Sequence, residues 1–153
     1  MKPGDRLVCA FVEPIAKAAT FTDWPLHVTI VPWFRLDQSS SNLALLLLQN
    51  FTDHAAFTVY VRGENQFGYK KQKTVNLVSA SQLLVIESQT RQVLHKQHAW
   101  IVDEADHTQR SFRPHVTVQR SRRVQEGDQF HCNRLYIISQ QGNSKSVDEV
   151  IPL

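Results

Sequence analysis

A short pattern occurs twice in this chain, and it limits what the chain can fold into more than any other feature. His27-Val28-Thr29-Ile30-Val31 and His115-Val116-Thr117-Val118-Gln119 repeat the order His-Val-Thr-hydrophobic, one copy in each half. Both sit in β-branched runs that favour strands, and both have a proline just upstream, Pro25 and Pro114. In a strand, side chains at i and i+2 leave from one face, about 6.5–7 Å apart. Each copy therefore presents an imidazole and a hydroxyl together, while Val28, Ile30, Val116 and Val118 face the opposite way, toward a core. Two such strands related by a pseudo-two-fold would gather two histidines and two threonines in one cleft.

The surrounding sequence fits an α+β layout around these strands. Leu7 to Val12 reads as a strand closed by Glu13-Pro14, and Ile15 to Thr22 is ambiguous between short helix and loop. Pro32 is expected to end the first motif's strand. Ser39 to Asn42 offers caps for a helix to about Thr52, with Leu43, Leu46, Leu47 and Phe51 on one face. Phe57 to Val61 alternates as a strand that turns at Arg62-Gly63-Glu64-Asn65, before a loop, Gln66 to Lys71, and a strand, Thr74 to Val78. Ser81 can cap a helix to about His98 with Leu84, Val85, Ser88, Val93 and Leu94 turned inward. Trp100 to Val102 is short and apolar, Asp103 to Gln109 is a polar, acidic loop, and Phe112 to Gln119 carries the second motif. Phe130 to Ser139 and Ser146 to Ile151 close the chain as strands joined at Gln141-Gly142-Asn143. The order lacks the regular crossovers of a parallel sheet. The expectation is α+β: bilobal, two mainly antiparallel sheets related by a pseudo-two-fold, flanking helices and a central cleft.

At 153 residues, the expectation is one domain spanning 1–153. A hydrophobic fraction of 42% with 20% charged residues excludes a disordered chain. No apolar run approaches the roughly 20 residues of a membrane span, and the N-terminus lacks the apolar core of a signal peptide, so a cytoplasmic location without membrane association is expected. The two cysteines, Cys9 and Cys132, form no C-x-x-C motif and read as buried free thiols. A net charge of +3 falls short of a nucleic-acid coat, but Arg110, Arg113, Arg120, Arg122 and Arg123 crowd around the second motif. Oligomeric state leaves no mark in the sequence.

Displacement at a phosphodiester needs a base on the attacking oxygen and an acid on the departing one. Imidazole, with an ordinary pKa of roughly 6.5, serves in either role near neutrality. Threonine hydroxyls can hold the non-bridging oxygens, and arginine can stabilise their charge. Such a scheme calls for no metal and no cofactor. One His-x-Thr among seven histidines would carry little weight; two matched copies in matched settings carry more.

At these residues the sequence resembles the 2H phosphoesterase superfamily, in particular its bacterial 2′-5′ RNA ligase and RNA 2′,3′-cyclic phosphodiesterase branch. The family mark is two His-x-Ser/Thr-hydrophobic motifs, one per lobe. Phe112, Pro114 and Arg120 also match the longer form of the second motif, in which an aromatic and a proline precede the histidine and an arginine follows. Gln119 departs from the small or apolar residue common at its place. The resemblance implies that His27 and His115 are the catalytic acid and base, in either order, that Thr29 and Thr117 bind phosphate, and that Arg120 contacts substrate or supports its motif. The implied substrates are RNA or nucleotides with a 2′-linked or cyclic phosphate, hydrolysed or, in reverse, ligated.

Among the remaining residues, Phe67 and Tyr69 with Lys70 and Lys71 form an aromatic-basic segment able to stack a base and meet a phosphate, or simply a surface hairpin. Trp33 and Phe34 either line the cleft or pack in the core. His95 and His98 lie at i, i+3 and read as solvent-exposed rather than metal-binding. A non-catalytic RNA- or nucleotide-binding protein using the same cleft is the alternative.

Overall fold

The computed structural model describes residues 2–102 and 112–153. The acidic loop, Asp103 to Gln109, and Arg110 of the arginine cluster lie outside them. The described residues form ten strands and two α-helices. They run β1 (Arg6–Phe11), β2 (Thr20–Phe21), β3 (His27–Arg35), α1 (Ser40–Asn50), β4 (Phe57–Phe67), β5 (Lys73–Ser79), α2 (Ser81–Lys96), β6 (Trp100–Ile101), β7 (His115–Thr117), β8 (Gln129–Cys132), β9 (Arg134–Gln141) and β10 (Ser144–Pro152). Among the described residues, no helix is long and apolar enough to cross a membrane.

The strands hydrogen-bond in the order β2-β10-β9-β1-β3-β7-β5-β4-β8, with β6 on the far end of β3. Every described pairing is antiparallel. The ladder is continuous, so where the sequence led us to expect two sheets there is one. Its two halves meet at β3 and β7, through the pair Val28↔Val116. The chain crosses between the halves at Asn133, which breaks the expected strand Phe130–Ser139 into β8, paired with β4, and β9, paired with β1 and β10.

Val28, Ile30 and Val116 share one core with Leu43 and Leu47 of α1 and Leu83, Ile86 and Leu94 of α2. Both helices thus cover the sheet face opposite the motif histidines. Ser39 caps α1, accepting a hydrogen bond from the Asn42 amide at 3.1 Å. In α2 the inward face is Leu83, Ile86, Thr90, Val93 and Leu94, while the expected Leu84 and Val85 are about half exposed. Leu83-Leu84-Val85-Ile86 offers two overlapping stripes. The observed one is viable because the buried Thr90 hydroxyl donates to the Ile86 carbonyl at 2.7 Å. Ala80, not Ser81, is the N-cap, without a side-chain hydrogen bond.

Two strands outrun their expected ends. Pro32 lies inside β3, where the register with β1 shifts between Thr29 and Phe34. The other edge of β3 has no described partner between Val28 and Phe34, the kind of place in a sheet where proline is tolerated. Arg62-Gly63 is likewise a bulge rather than a turn: β4 shifts register between Val61 and Glu64 and continues to Phe67. The reversal comes at Gly68, whose φ of +87° suits glycine. Ile15 to Thr22 contains the short β2.

Candidate functional site

The pairing of Val28 with Val116 fixes the geometry of the two motifs. Continuing that antiparallel register one residue each way sets His27 opposite Thr117 and Thr29 opposite His115. The pairing of β7 with β5 agrees, with His115 against Leu77 and Thr117 against Val75. Directly opposed Cβ atoms lie about 4.5–5.5 Å apart and diagonal ones about 7–8 Å. The two imidazoles are therefore diagonal neighbours, with the two hydroxyls on the other diagonal. All four side chains are half-buried, while Val28 and Val116 are sealed on the opposite face. The structure thus brings together the four residues His27, Thr29, His115 and Thr117.

The imidazoles are held in the same way. Nδ1 of His27 donates to the carbonyl of Pro25 at 2.8 Å, and Nδ1 of His115 donates to the carbonyl of Arg113 at 2.8 Å. A carbonyl only accepts, so each ring carries its neutral-state proton on Nδ1 and keeps Nε2 available. The acceptor is two residues upstream in both cases, although the prolines differ in place: Pro25 supplies its own carbonyl to His27, while Pro114 restricts Arg113, whose carbonyl serves His115, to an extended backbone.

The surroundings of the two rings differ. His27 lies against Trp24, ring centroids 4.4 Å apart and 32° between planes, with Phe11 at its edge, 6.1 Å away. Phe21, Trp24 and Trp33 join the small core of Leu7, Cys9, Phe11, Tyr136, Ile138 and Val147 on this face. Burial holds the His27 pKa below the usual 6.5; the Pro25 carbonyl opposes the shift and His115 adds to it. His115 meets Phe67 edge to face at 4.6 Å, and the Arg113 guanidinium lies over the Phe67 ring at 4.2 Å. Burial lowers the His115 pKa too; the Arg113 carbonyl opposes this, while the Lys73 and Arg113 cations push further down.

Of the other expected site residues, Phe67 touches His115, although β5 separates its strand from β7. Tyr69 is 83% exposed at the hairpin tip and touches neither histidine, with Lys70 over its ring at 5.4 Å. Arg120 is exposed in the turn after β7. Arg123 from the same cluster pairs with Glu64 and donates to the buried Asn76 at 3.4 Å, tying that turn to β4 and β5. Phe34 is wholly buried in the main core, whereas Trp33 packs beside Trp24. His95 and His98 are exposed, and His54 bonds Gln89 at 2.7 Å. Cys9 and Cys132 are buried free thiols, and burial pushes Cys132 up to about 11. Trp24 was missed in the sequence, where an aromatic three residues before a histidine carries no strand periodicity; Lys73 was missed because it opens its strand outside the motifs.

No curated protein sequence matches the chain significantly. Similar solved structures include TT0787 of Thermus thermophilus, with a TM-score of 0.62, 15% identity and 97% of each chain covered. Escherichia coli LigT complexed with 3′-AMP is similar over 99% of this chain and 96% of its own, with a TM-score of 0.55 and 13% identity. LigT complexed with NADP+ matches with the same figures. At these identities the likeness is one of fold. The sequence model of the 2′-5′ RNA ligase superfamily matches residues 5–142, both histidine motifs included. Carrying that match over nearly its whole length, the chain belongs to the 2′-5′ RNA ligase superfamily of 2H phosphoesterases.

Proposed function

We propose that this protein is a metal-independent phosphodiesterase acting on 2′,3′-cyclic or 2′-5′ phosphodiesters of RNA or nucleotides, with His27 and His115 as its acid/base pair. The observation that carries the reading is the matched hydrogen bond from each Nδ1 to a carbonyl two residues upstream. It leaves two Nε2 atoms, on diagonally placed rings, for one phosphate between them. The superfamily is one of phosphoesterases and RNA ligases, which supports an enzyme. The LigT complexes with 3′-AMP, NADP+ and ATP support a nucleotide as substrate.

With one imidazole neutral and the other protonated, the neutral Nε2 takes a proton from water. The water oxygen bonds to phosphorus as the bond to the ribose oxygen breaks. The second Nε2 gives its proton to that departing oxygen. The Thr29 and Thr117 hydroxyls donate to the non-bridging oxygens, where charge builds. When a 5′ hydroxyl takes the place of water on a 2′,3′-cyclic phosphate, its oxygen bonds to phosphorus as the bond to the ribose 3′ oxygen breaks, and a 2′-5′ linkage forms. The proton ends on the opposite histidine, so a second turnover needs exchange with solvent.

The test is turnover, with EDTA present, of a panel holding 2′,3′-cyclic nucleotides, 2′-5′ oligoadenylate and a cyclic phosphate of ADP-ribose. Turnover of one member names the substrate class. Tight nucleotide binding without turnover of any member would replace this reading with that of a binding protein.

A further inference from the structure

Two cations beside His115 play no part in the reaction just described, and each is held in place. The Arg113 guanidinium is stacked on Phe67. Lys73 is the cross-strand partner of Phe67, so both side chains leave from the same sheet face. Its stem runs along Gly68, where a Cβ would meet Lys73 Cγ at 3.7 Å. Neither cation has a carboxylate partner among the described residues. Glu64, the acid on β4, is engaged by Arg123. Burial is the main reason that protonation of His115 is disfavoured, and both cations add to it. His27 has the rings of Trp24 and Phe11 beside it; Lys145 reaches the Trp24 ring at 5.8 Å, but among the described residues the one charged group that shifts His27 itself is His115. The two cations that act directly on a motif histidine thus both stand at the His115 end.

Like charges held near a group that must itself carry a proton are unfavourable until an anion arrives. Thr29, Thr117 and the two Nε2 atoms already account for the scissile phosphate. We propose that Lys73 and Arg113 form a second phosphate subsite beside His115, and that the preferred substrate carries another phosphate in addition to the one cleaved. The inference rests on the phosphodiesterase reading for its substrate, but not for its binding. Two sources share this chemistry: the 5′-phosphate of a small cyclic nucleotide, and the internucleotide phosphate of an RNA end. Arg113 is exposed, and a guanidinium stacked by its face, as here on Phe67, meets phosphate oxygens through its N–H edge.

The experiment compares kcat/KM for adenosine 2′,3′-cyclic phosphate, its 5′-phosphorylated form, and a dinucleotide ending in a 2′,3′-cyclic phosphate. Because the added phosphate would make a charge-assisted contact, one or both phosphate-bearing substrates should exceed the first by about tenfold or more. The substrate that gains identifies the source. In the double variant K73Q/R113Q the ratio should fall to about one, and R113K should keep part of it. Equal kcat/KM for all three substrates, or a ratio unchanged in the double variant, overturns the subsite. If nothing turns over, calorimetry with adenosine 3′,5′-bisphosphate against adenosine 3′-monophosphate reads the subsite alone. Preference for the bisphosphate, lost in K73Q/R113Q, keeps it while the phosphodiesterase reading fails; equal binding overturns it.

Discussion

Val28 pairs with Val116, and this ladder pair is where β7 joins β3. Both valines are sealed in the core shared with the two helices. The side chains on either side of them, His27 with Thr117 and Thr29 with His115, point the other way. A core contact on one face therefore sets the spacing of the reactive groups on the other. Val116→Ala should cost roughly 2 kcal/mol by loss of packing. It should lower kcat as well, because the diagonal between the imidazoles loses its spacer. Urea denaturation alongside steady-state kinetics checks both; a destabilised variant with unaltered kcat would detach the pair from the chemistry.

Burial holds both histidines below the usual pKa of 6.5 in the free protein. In the mechanism we propose, the working form carries one proton on the pair, and its population peaks between the two lowered values. The pH profile of kcat/KM should therefore be bell-shaped with its maximum on the acid side of 6.5. Stability follows with a definite sign. Groups with lowered folded values contribute fully above about 6.5, and that contribution is lost as pH falls through the folded values. A kcat/KM maximum above neutrality would mean that the imidazoles are not buried as described.

Trp24 screens His27 from water with a ring 4.4 Å away. Trp24→Leu should let the His27 pKa rise toward 6.5, moving upward whichever limb of the profile His27 sets. The looser ring should also cost about tenfold to a hundredfold in kcat. Trp24→Phe should recover most of both. NMR titration of the His27 ring protons reads the shift directly, and a titration curve identical to that of the parent would remove Trp24 from the account.

Thr29→Val and Thr117→Val keep the β-branched shape and delete the hydroxyl. Each should lower kcat/KM about tenfold to a hundredfold, the equivalent of one hydrogen bond to a charged group. Melting temperatures should move little, since both side chains are half-buried on the reactive face. Parent kinetics in both variants would leave phosphate to other donors.

The parts of this arrangement written in local periodicity were legible in the sequence. His-Val-Thr-hydrophobic in a β context dictated which side chains point together, and the two copies dictated that they meet. The caps and leucines of α1 behaved as expected for the same reason. Features decided by distant partners were not legible. The Arg62-Gly63 bulge reads as a turn until β5 is seen pairing across it. The inward face of α2 depended on Thr90 satisfying its own hydroxyl. The break at Asn133 shows only once β8 and β9 are known to belong to different halves of the sheet. Trp24 and Lys73 reach the histidines through folding alone, and Tyr69, one residue past the Gly68 reversal, is turned out to solvent.

In the reaction we propose, His27 and His115 act as one acid/base pair on one phosphate. The deciding measurement is kcat on whichever cyclic or 2′-5′ substrate turns over, with EDTA present, for His27→Ala, His115→Ala and the double variant, each checked for folding by circular dichroism. Each single change should lower kcat by about 10²–10⁴. The double variant should be little slower than either, because both residues serve one step. A folded variant lacking either histidine that keeps the parent kcat would contradict the pair.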